Sequence, residues 1–556
     1  MTSALQARAA TLGRLSSEPF DVLVIGGGIT GVGIARDAAL RGLKVALVEK
    51  SDFASGTSSK SSKLVHGGFR YLEHAQFRLV FEGTNERALL MKVAPHLVRP
   101  LEFLLPVYKA DKPGLFVLDV GLWIYDGMSK FSSPKLHRTV RAGRLAKLEP
   151  GLKLDALEGG LLYYDCATDD ARLTLENVID ARALGAAVVN YTRAVRLIKE
   201  GDRIAGAEVQ AIEGRGDGDG KGEGATLPIR ARVTINATGP WCDEIRQMAG
   251  DAGILHTSKG VHLVVDAARL NPRHAVVMKQ KKRIVFCIPW GGDRTVIGTT
   301  DTFYDGKPED VHTDKKDVDY LLALANNYFP EAKLKPEDVL ATWAGLRPLL
   351  KPDSDTETAS DVSREHAIVE RPGLVTIAGG KLTTYRRMAA EVVDHAGKQL
   401  GEIAASRTAD RPLPGAAGAV YEAGYAGVTK LQEELAAEGS VDGAVAKQLA
   451  STYGARAPSV VARVKADVSA GRRLDPELPY IEAQVDVAVD EEQALSVEDV
   501  LGRRVQLILR ARDQGLGCVE RVAKRMAPKL GWDDARTKAE IEHYRGVVAR
   551  TRLFRR

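Results

Sequence analysis

The stretch FDVLVIGGGITGVGIARDAALRGLKVALVEK, Phe20 to Lys50, decides the first part of the fold. A short apolar run (DVLVI) meets a glycine turn, an alanine-rich stretch follows, and a second apolar run (VALV) closes the unit. That order predicts strand, helix, strand over about thirty residues. Gly26-x-Gly28-x-x-Gly31 falls where strand passes into helix. Gly26 permits the tight turn, Gly28 lets the backbone approach a pyrophosphate, and Gly31 lets helix and strand pack closely. The helix N-terminus offers unpaired amides to the anion. Glu49 ends the second strand about twenty residues on, where a carboxylate accepts from ribose hydroxyls and repels a 2′-phosphate. A dinucleotide site is therefore expected around Ile25, Gly26, Gly27, Gly28, Ile29, Thr30 and Gly31, with Glu49 and Lys50 at the second strand's end. The fingerprint by itself serves FAD and NAD equally.

The strand-to-glycine transition recurs at VTINATGPW (Val233 to Trp241) and at LVTIAGGKLTTYR (Leu374 to Arg386). Three such transitions far apart predict an α/β fold with a discontinuous, Rossmann-like nucleotide-binding domain formed by residues 20–75, 161–255 and 341–405. The intervening segments 76–160 and 256–340, the second rich in β-type runs such as HLVV and RIVFCIPW, are expected to form a β-rich substrate or cap domain. After DRPLPG (Asp410 to Gly415) the pattern turns helical and charged, predicting an α-helical C-terminal domain over 411–556. The stretch GRGDGDGKGEG (Gly214 to Gly224) has no apolar residue and reads as a flexible hairpin tip.

At 556 residues the chain exceeds the usual domain size several-fold, so two or three domains with large cores are expected. Its 78 basic and 73 acidic residues leave a net charge of +5, too little to propose nucleic acid as a partner. The four cysteines show no C-x-x-C spacing, so neither a zinc site nor a local redox pair is expected, and a reducing, cytoplasmic compartment fits. The histidines lack i, i+4 pairing, and no metal is expected. Arg8 and Arg14, with no acid before Glu18, are compatible with an organellar presequence; the plainer reading is a short helix leading into the first strand. No stretch reaches the roughly 20 apolar residues that span a bilayer, so membrane contact is expected to be peripheral. Oligomeric state is left open, a homo-oligomer included.

Immediately after Glu49 comes SGTSSKSSKLVHGGFRYLEH, Ser55 to His74. Here the chain resembles the FAD-dependent, quinone-linked glycerol-3-phosphate dehydrogenases, in which a serine-rich turn and a His-Gly-Gly-x-Arg-Tyr-Leu-Glu run lie close to the flavin. GGKLTTYRRMA (Gly379 to Ala389) matches the family's other signature. DCATDDARL (Asp165 to Leu173), NATGPW (Asn236 to Trp241), KGVHLVV (Lys259 to Val265), IPWGG…IGTTD (Ile288 to Asp301) and AGLRPL (Ala344 to Leu349) follow in the family's order. The likeness runs from about Phe20 to Leu413. It implies FAD held also by Thr57, Ser58, Ser59, Ser62, Lys63, Leu64, His66 and Gly67, by Ala237, Thr238 and Gly239, and by Gly345, Arg347, Gly380, Lys381, Leu382 and Thr383. The activity it implies is oxidation of sn-glycerol 3-phosphate to dihydroxyacetone phosphate, with electrons passed to membrane quinone.

That chemistry needs a group to take the hydroxyl proton and cations for the phosphate. Arg70 and Arg347 are the phosphate candidates, because a guanidinium offers a charge-assisted, bidentate fork; taken alone, each also reads as a salt-bridge residue. Tyr71 is placed at the same site by the resemblance, its other reading being a packing tyrosine. Lys381, after two glycines, is placed by resemblance against substrate and flavin, where it would stabilise negative charge. His262 is the candidate base, its ordinary pKa of about 6.5 suiting work near neutrality, with His66 as the rival. GLFVLDVGLWIY (Gly114 to Tyr125) is followed by a stretch with Lys130, Lys135, Arg138, Arg141, Arg144 and Lys147 that has no acid from Lys130 until Glu149. An apolar edge beside a basic belt suits the anionic inner face of the cell membrane, and the basic end RTRLFRR is expected to add to the attraction; a buried cap element is the alternative. Two further readings stay open: an oxidase of the same substrate that reduces oxygen to hydrogen peroxide, and a non-enzymatic FAD-binding regulatory module.

Overall fold

The computed structural model describes residues 3–69, 76–129, 132–212, 226–280, 283–351 and 365–555. Arg70, Tyr71, Lys130 and the stretch Gly214 to Gly224 lie outside the described residues.

The Phe20–Lys50 unit folds as strand Phe20–Ile25, helix Ile29–Leu40 and strand Val45–Val48. The first strand runs parallel between Val45–Val48 and Thr226–Asn236, and the parallel array continues through Ala187–Val189 on one side and Leu374–Gly379 on the other. Alternate side chains point to opposite faces of a strand, so a sheet covered on both sides needs nearly continuous apolar runs. Val22, Val24, Val233 and Ile235 pack under helices Ile29–Leu40, Asp170–Ala183 and Tyr385–Leu400. Leu23, Ile25, Ala46 and Val48 face Leu15, Ile245 and the antiparallel strands Thr192–Glu200 and Arg203–Ala211. Leu15 belongs to helix Ala4–Ser17, whose Arg8 donates to Asn190 and Tyr191. The N-terminal residues thus form a helix that covers the first sheet.

A second sheet has ten strands among the described residues. Ser258–Asp266 pairs antiparallel with Arg294–Gly298 and with Val339–Arg347, and further strands extend it to Arg99–Tyr108, Leu157–Ala167 and the short Leu64–Val65. Residues 161–167 and 341–347 therefore lie in strands of this second sheet. Helix Lys315–Tyr328 covers one face. C-terminal helices, including Val519–Leu530 and Asp534–Thr551, share a core with the other.

The C-terminal helices are fastened to the first sheet by buried charge. Asp52 accepts from Arg503 Nε at 2.6 Å and from Arg504 Nη2 at 2.9 Å. Arg172 donates from both terminal guanidinium nitrogens to Glu492, one bond measuring 2.8 Å. All five groups are buried, a position that ions tolerate only when paired. The last residues pack as well. Phe554 is buried in the core of the second sheet, Arg555 donates to the Val339 carbonyl at 2.7 Å, and Thr342 donates to that of Thr551 at 2.8 Å. Residues 551–555 thus dock on strand Val339–Arg347, with Arg550 and Arg555 exposed.

Burial pushes the Glu492 carboxyl up, but Arg172, Arg456 and Arg504 outweigh burial and bring it down to about 2. Its folded-state pKa lies below the unfolded value of about 4.3. The contribution to stability is therefore fully present above about pH 4.3 and is lost as pH falls toward 2. Glu492→Gln should lower stability at pH 7 by about 3–5 kcal/mol and weaken the acid dependence, as measured by urea unfolding across this range; equal stability of the two proteins at pH 7 would refute the assignment.

Candidate active site

The carboxyl ends of the first three parallel strands open onto one edge. Gly26 has φ +116°, and a Cβ there would lie 2.5 Å from the Ala237 carbonyl oxygen, so only glycine makes this turn. A Cβ on Gly31 would lie 1.9 Å from the Gly26 carbonyl oxygen, so Gly31 acts in packing. Gly28 caps helix Ile29–Leu40 without a side-chain bond, and the next amide, of Ile29, donates to Ser58 Oγ at 2.9 Å. Glu49 accepts from the Gly27 and Ser51 amides at 2.6 and 2.8 Å; burial nevertheless pushes its carboxyl above the ordinary value.

A cavity of about 1070 Å³ runs from this turn to Lys381, walled by both sheets and the C-terminal helices. Of the residues expected to hold a cofactor, all but four line it. Gly27 and Gly31 lie beneath the turn. Lys63 is turned inward, its ammonium 2.6 Å from Asp170 with both groups buried, and Gly67 gives its amide to Asp165 at 3.1 Å. These four hold the wall's shape without forming its surface. Asp170 also accepts from the Ser61 amide and hydroxyl, and Asp165 from Arg87 and Tyr125. Two carboxylates of DCATDDARL thus set the serine-rich turn and the His66–Gly67 segment. Thr383 Oγ1 accepts from the His66 amide and donates to its carbonyl, tying that segment to GGKLTTYR.

At the far end, strands Ser258–Asp266 and Val339–Arg347 pair Ser258 with Arg347, Gly260 with Gly345, and His262 with Trp343. Residues two apart share a face, so these six face the cavity side together. The two glycines make room for neighbouring groups: a Cβ on Gly345 would lie 2.8 Å from Lys60 Cβ. A Cβ on Gly260 would lie 2.6 Å from Arg347 Nη2, which shows the guanidinium folded back over Gly260. It is held there by Asp301 at 3.1 Å, Thr299 Oγ1 at 3.0 Å, the Thr300 carbonyl at 3.2 Å and Ser258 Oγ at 3.3 Å.

His262 stacks on Trp343 with centroids 4.7 Å apart at 12°, and its Nε2 lies 2.8 Å from Ser62 Oγ. Its Nδ1 is buried and meets no hydrogen-bond partner among the described residues. Burial, then the charges of Arg347 and Lys63, hold its pKa well below 6.5. The ordinary value assumed from sequence is therefore corrected: at neutral pH this imidazole is uncharged and able to accept a proton. Lys381 follows Gly379 and Gly380, with φ +79° and +86°, and stands at the start of the 3-10 turn Leu382–Thr384.

Other lining residues lack any sequence signal. Glu498, Arg503, His543, Val547 and Arg550 come from the C-terminal helices, and Glu309 from a loop beside the second sheet. No motif marks them. Asp165 and Asp170, by contrast, stood in a segment already noted for its resemblance. Among the described residues no cluster suited to a metal ion occurs.

A glycine turn at the edge of a parallel sheet, an acid at the next strand end and a long cavity walled by a second sheet define a dinucleotide-dependent oxidoreductase. Residues 21–392 match the family model FAD dependent oxidoreductase, and residues 406–537 match the C-terminal domain of alpha-glycerophosphate oxidase. Glycerol-3-phosphate dehydrogenase 2 of Mycobacterium tuberculosis is 40% identical over 97% of this chain and 90% of its own length. Glycerol-3-phosphate dehydrogenase of Mycobacterium leprae is 41% identical over 98% and 90%. The structure of the glycerol-3-phosphate dehydrogenase of Bacillus halodurans, complexed with FAD, covers 99% of both chains at 32% identity with a TM-score of 0.79. This chain belongs to the FAD-dependent oxidoreductases and, among them, to the glycerol-3-phosphate dehydrogenase family.

Asp170→Ala would leave the Lys63 ammonium buried beside little more than the Ser59 carbonyl, 3.4 Å away, and would release Ser61. The variant should lose about 3–5 kcal/mol of stability and retain less flavin per chain, read from visible absorbance and urea unfolding. Full flavin content would show that Asp170 does not hold the turn.

Proposed function

We propose that this chain oxidises sn-glycerol 3-phosphate to dihydroxyacetone phosphate with FAD and passes the electrons to membrane quinone. The observation that carries the reading is that Arg347, His262 and Lys381 line one cavity with the glycine turn and Glu49. Arg347 has a fork suited to a phosphate dianion and already lies beside its base. His262, uncharged at neutral pH, takes the proton of the secondary hydroxyl as the C–O bond becomes a carbonyl. Lys381 supplies fixed positive charge where negative charge develops. Bound FAD supplies the hydride acceptor. The glycine turn, Glu49 and the serine-rich turn would hold that cofactor, and the glycine turn's lack of side chains suits a pyrophosphate. Arg70 and Tyr71 join the substrate site on this reading through the resemblance. The first sheet and its helices then form the FAD-binding part, the second sheet the substrate part. The names of the full-length relatives support the same substrate.

The electron acceptor is argued from the surface. Gly114 to Tyr125 lies mostly in helix Leu115–Met128, which buries Leu118, Leu122 and Tyr125 and exposes Phe116 (79%), Val117, Val120, Trp123 (53%) and Ile124. Its two acids are drawn away from that apolar face: Asp126 bonds to His137 at 2.8 Å, and Asp119 bonds to Thr139. Lys135, Arg138, Arg141, Arg144 and Lys147 are exposed in the segment that follows. An apolar helix beside an exposed basic belt fits an anionic lipid surface, each cation contributing about 1 kcal/mol. No helix among the described residues is long and apolar enough to cross a membrane. On this reading the protein lies on the inner face of the cell membrane, and quinone reaches the flavin from the bilayer.

Arg347→Ala should raise KM for glycerol 3-phosphate about 30- to 100-fold, through loss of charged hydrogen bonds, while flavin stays bound. An unchanged KM would remove Arg347 from the phosphate site. Because His262 is shifted down, kcat of the native enzyme should show no inflection near pH 6.5 and should fall only at lower pH, whereas kcat/KM also carries the second ionisation of the substrate phosphate at about pH 6. His262→Ala should lower kcat and leave flavin content intact; a normal kcat would exclude it as the base.

The protein should float with anionic liposomes at low salt, and floating should weaken at high salt as charges are screened. Phe116→Asp with Trp123→Asp should abolish it without changing turnover with a soluble electron acceptor. Protein that stays in the aqueous fraction and turns over as fast with oxygen as with quinone would point to the oxidase instead.

A further inference from the structure

The end of the cavity beside Glu49 is closed by a segment of the other sheet. Between strand Thr302–Phe303 and helix Lys315–Tyr328 the chain crosses to the first sheet, and residues 307–313 line the cavity there. At the crossing, Glu309 Oε1 lies 2.8 Å from Lys50 Nζ and accepts the Trp241 indole N–H. The Lys50 ammonium lies 4.1 Å from the centroid of the Trp241 ring. Lys50 follows Glu49 directly, and Trp241 stands two residues beyond Gly239. Both partners therefore belong to the strand ends that form the nucleotide edge.

The ion pair sits at the boundary with solvent: the Lys50 and Glu309 side chains are 26% and 31% exposed. A pair so exposed contributes little to folding. Its distinctive property is position, since it joins the two walls of the cavity where no motif of the catalytic end reaches. We propose that Glu309 is the catch of a strap, residues 304–313, that closes over the adenosine half of bound FAD and sets the rate at which the cofactor leaves. This rests on the placement of adenosine at Glu49 in the function proposed above. Burial pushes the Glu309 carboxyl up, but the hydrogen bond and charge of Lys50 outweigh it and hold the carboxyl below its ordinary value, so the catch is ionised at neutral pH. The indole N–H adds a second bond to the same carboxylate, and the ammonium over the ring adds a cation–π contact. Opening the strap requires breaking both bonds to Glu309, while the contact between Lys50 and Trp241 stays within the nucleotide edge.

The test is flavin release from the purified holoenzyme, followed by recovery of flavin fluorescence on dilution. Glu309→Gln should release FAD about tenfold faster, and Trp241→Phe should fall between it and the native protein. Release from the native protein should quicken with salt, while release from Glu309→Gln should respond little, because the ion pair is what salt screens. KM for glycerol 3-phosphate and turnover at saturating FAD should not change. Lys315→Gln, which alters an exposed charge nearby, should leave release unchanged. Release that Glu49→Gln quickens but Glu309→Gln does not would overturn the strap alone. Release unaffected by Glu49→Gln would overturn the placement of adenosine and the strap with it.

Discussion

Strand Phe20–Ile25 runs parallel to both of its neighbours, and the cofactor end of the molecule depends on that pairing. Ile25 lies opposite Val48 and Asn236, so Gly26, Glu49 and Ala237 leave the sheet at one height. Parallel strands send all their carboxyl ends to the same edge, where a doubly covered sheet binds its ligands. The glycine turn, the acid and the Ala237–Gly239 turn converge because the strands do. Crowding at that edge explains the glycines: the Ala237 carbonyl occupies the space that a Gly26 side chain would need. An antiparallel neighbour on either side would have carried one of these groups to the opposite end of the sheet.

The second sheet meets this edge through contacts between polar groups remote in sequence. Trp343 donates its indole N–H to the Ser61 carbonyl at 3.1 Å, and Thr57 donates to the Leu346 carbonyl at 2.6 Å. These bonds seat the serine-rich turn of one sheet on the strand of the other that carries Arg347. Buried pairs to Asp52 and Arg172 then fix the C-terminal helices as the third wall. Such pairs are costly to break because each leaves an uncompensated charge. They make the cavity a property of all three parts of the chain.

The βαβ unit, the later strand-to-glycine transitions and the helical C-terminal part were legible in the sequence, because period and glycine placement are local signals. The serine-rich and GGKLTTYR segments were legible through family likeness. The direction of a side chain was not. Lys63 sits among lining residues in sequence yet turns inward, because Asp170 lies behind the turn. Phe554 sits in a basic tail yet is buried, because the second sheet offers it a pocket. Asp52 and Arg504 are 452 residues apart and share no pattern. Pairings over such distances depend on the assembled fold, and composition and spacing carry no trace of them.

The neighbourhood of His262 shows how the two ends of the proposed substrate interact. Burial lowers its proton affinity first, and the Arg347 guanidinium, folded back over Gly260, lowers it further. Without substrate the imidazole is uncharged but a weak base. A phosphate dianion on Arg347 would cancel part of the guanidinium's field, and the imidazole's affinity for a proton would rise. The stacked Trp343 ring keeps the histidine in place while its charge environment changes. On the proposed reading, the group that anchors the substrate also strengthens the base that works on it. A polyol without phosphate would lose the anchor and meet the histidine in its weaker state, so discrimination would appear in kcat as well as in KM.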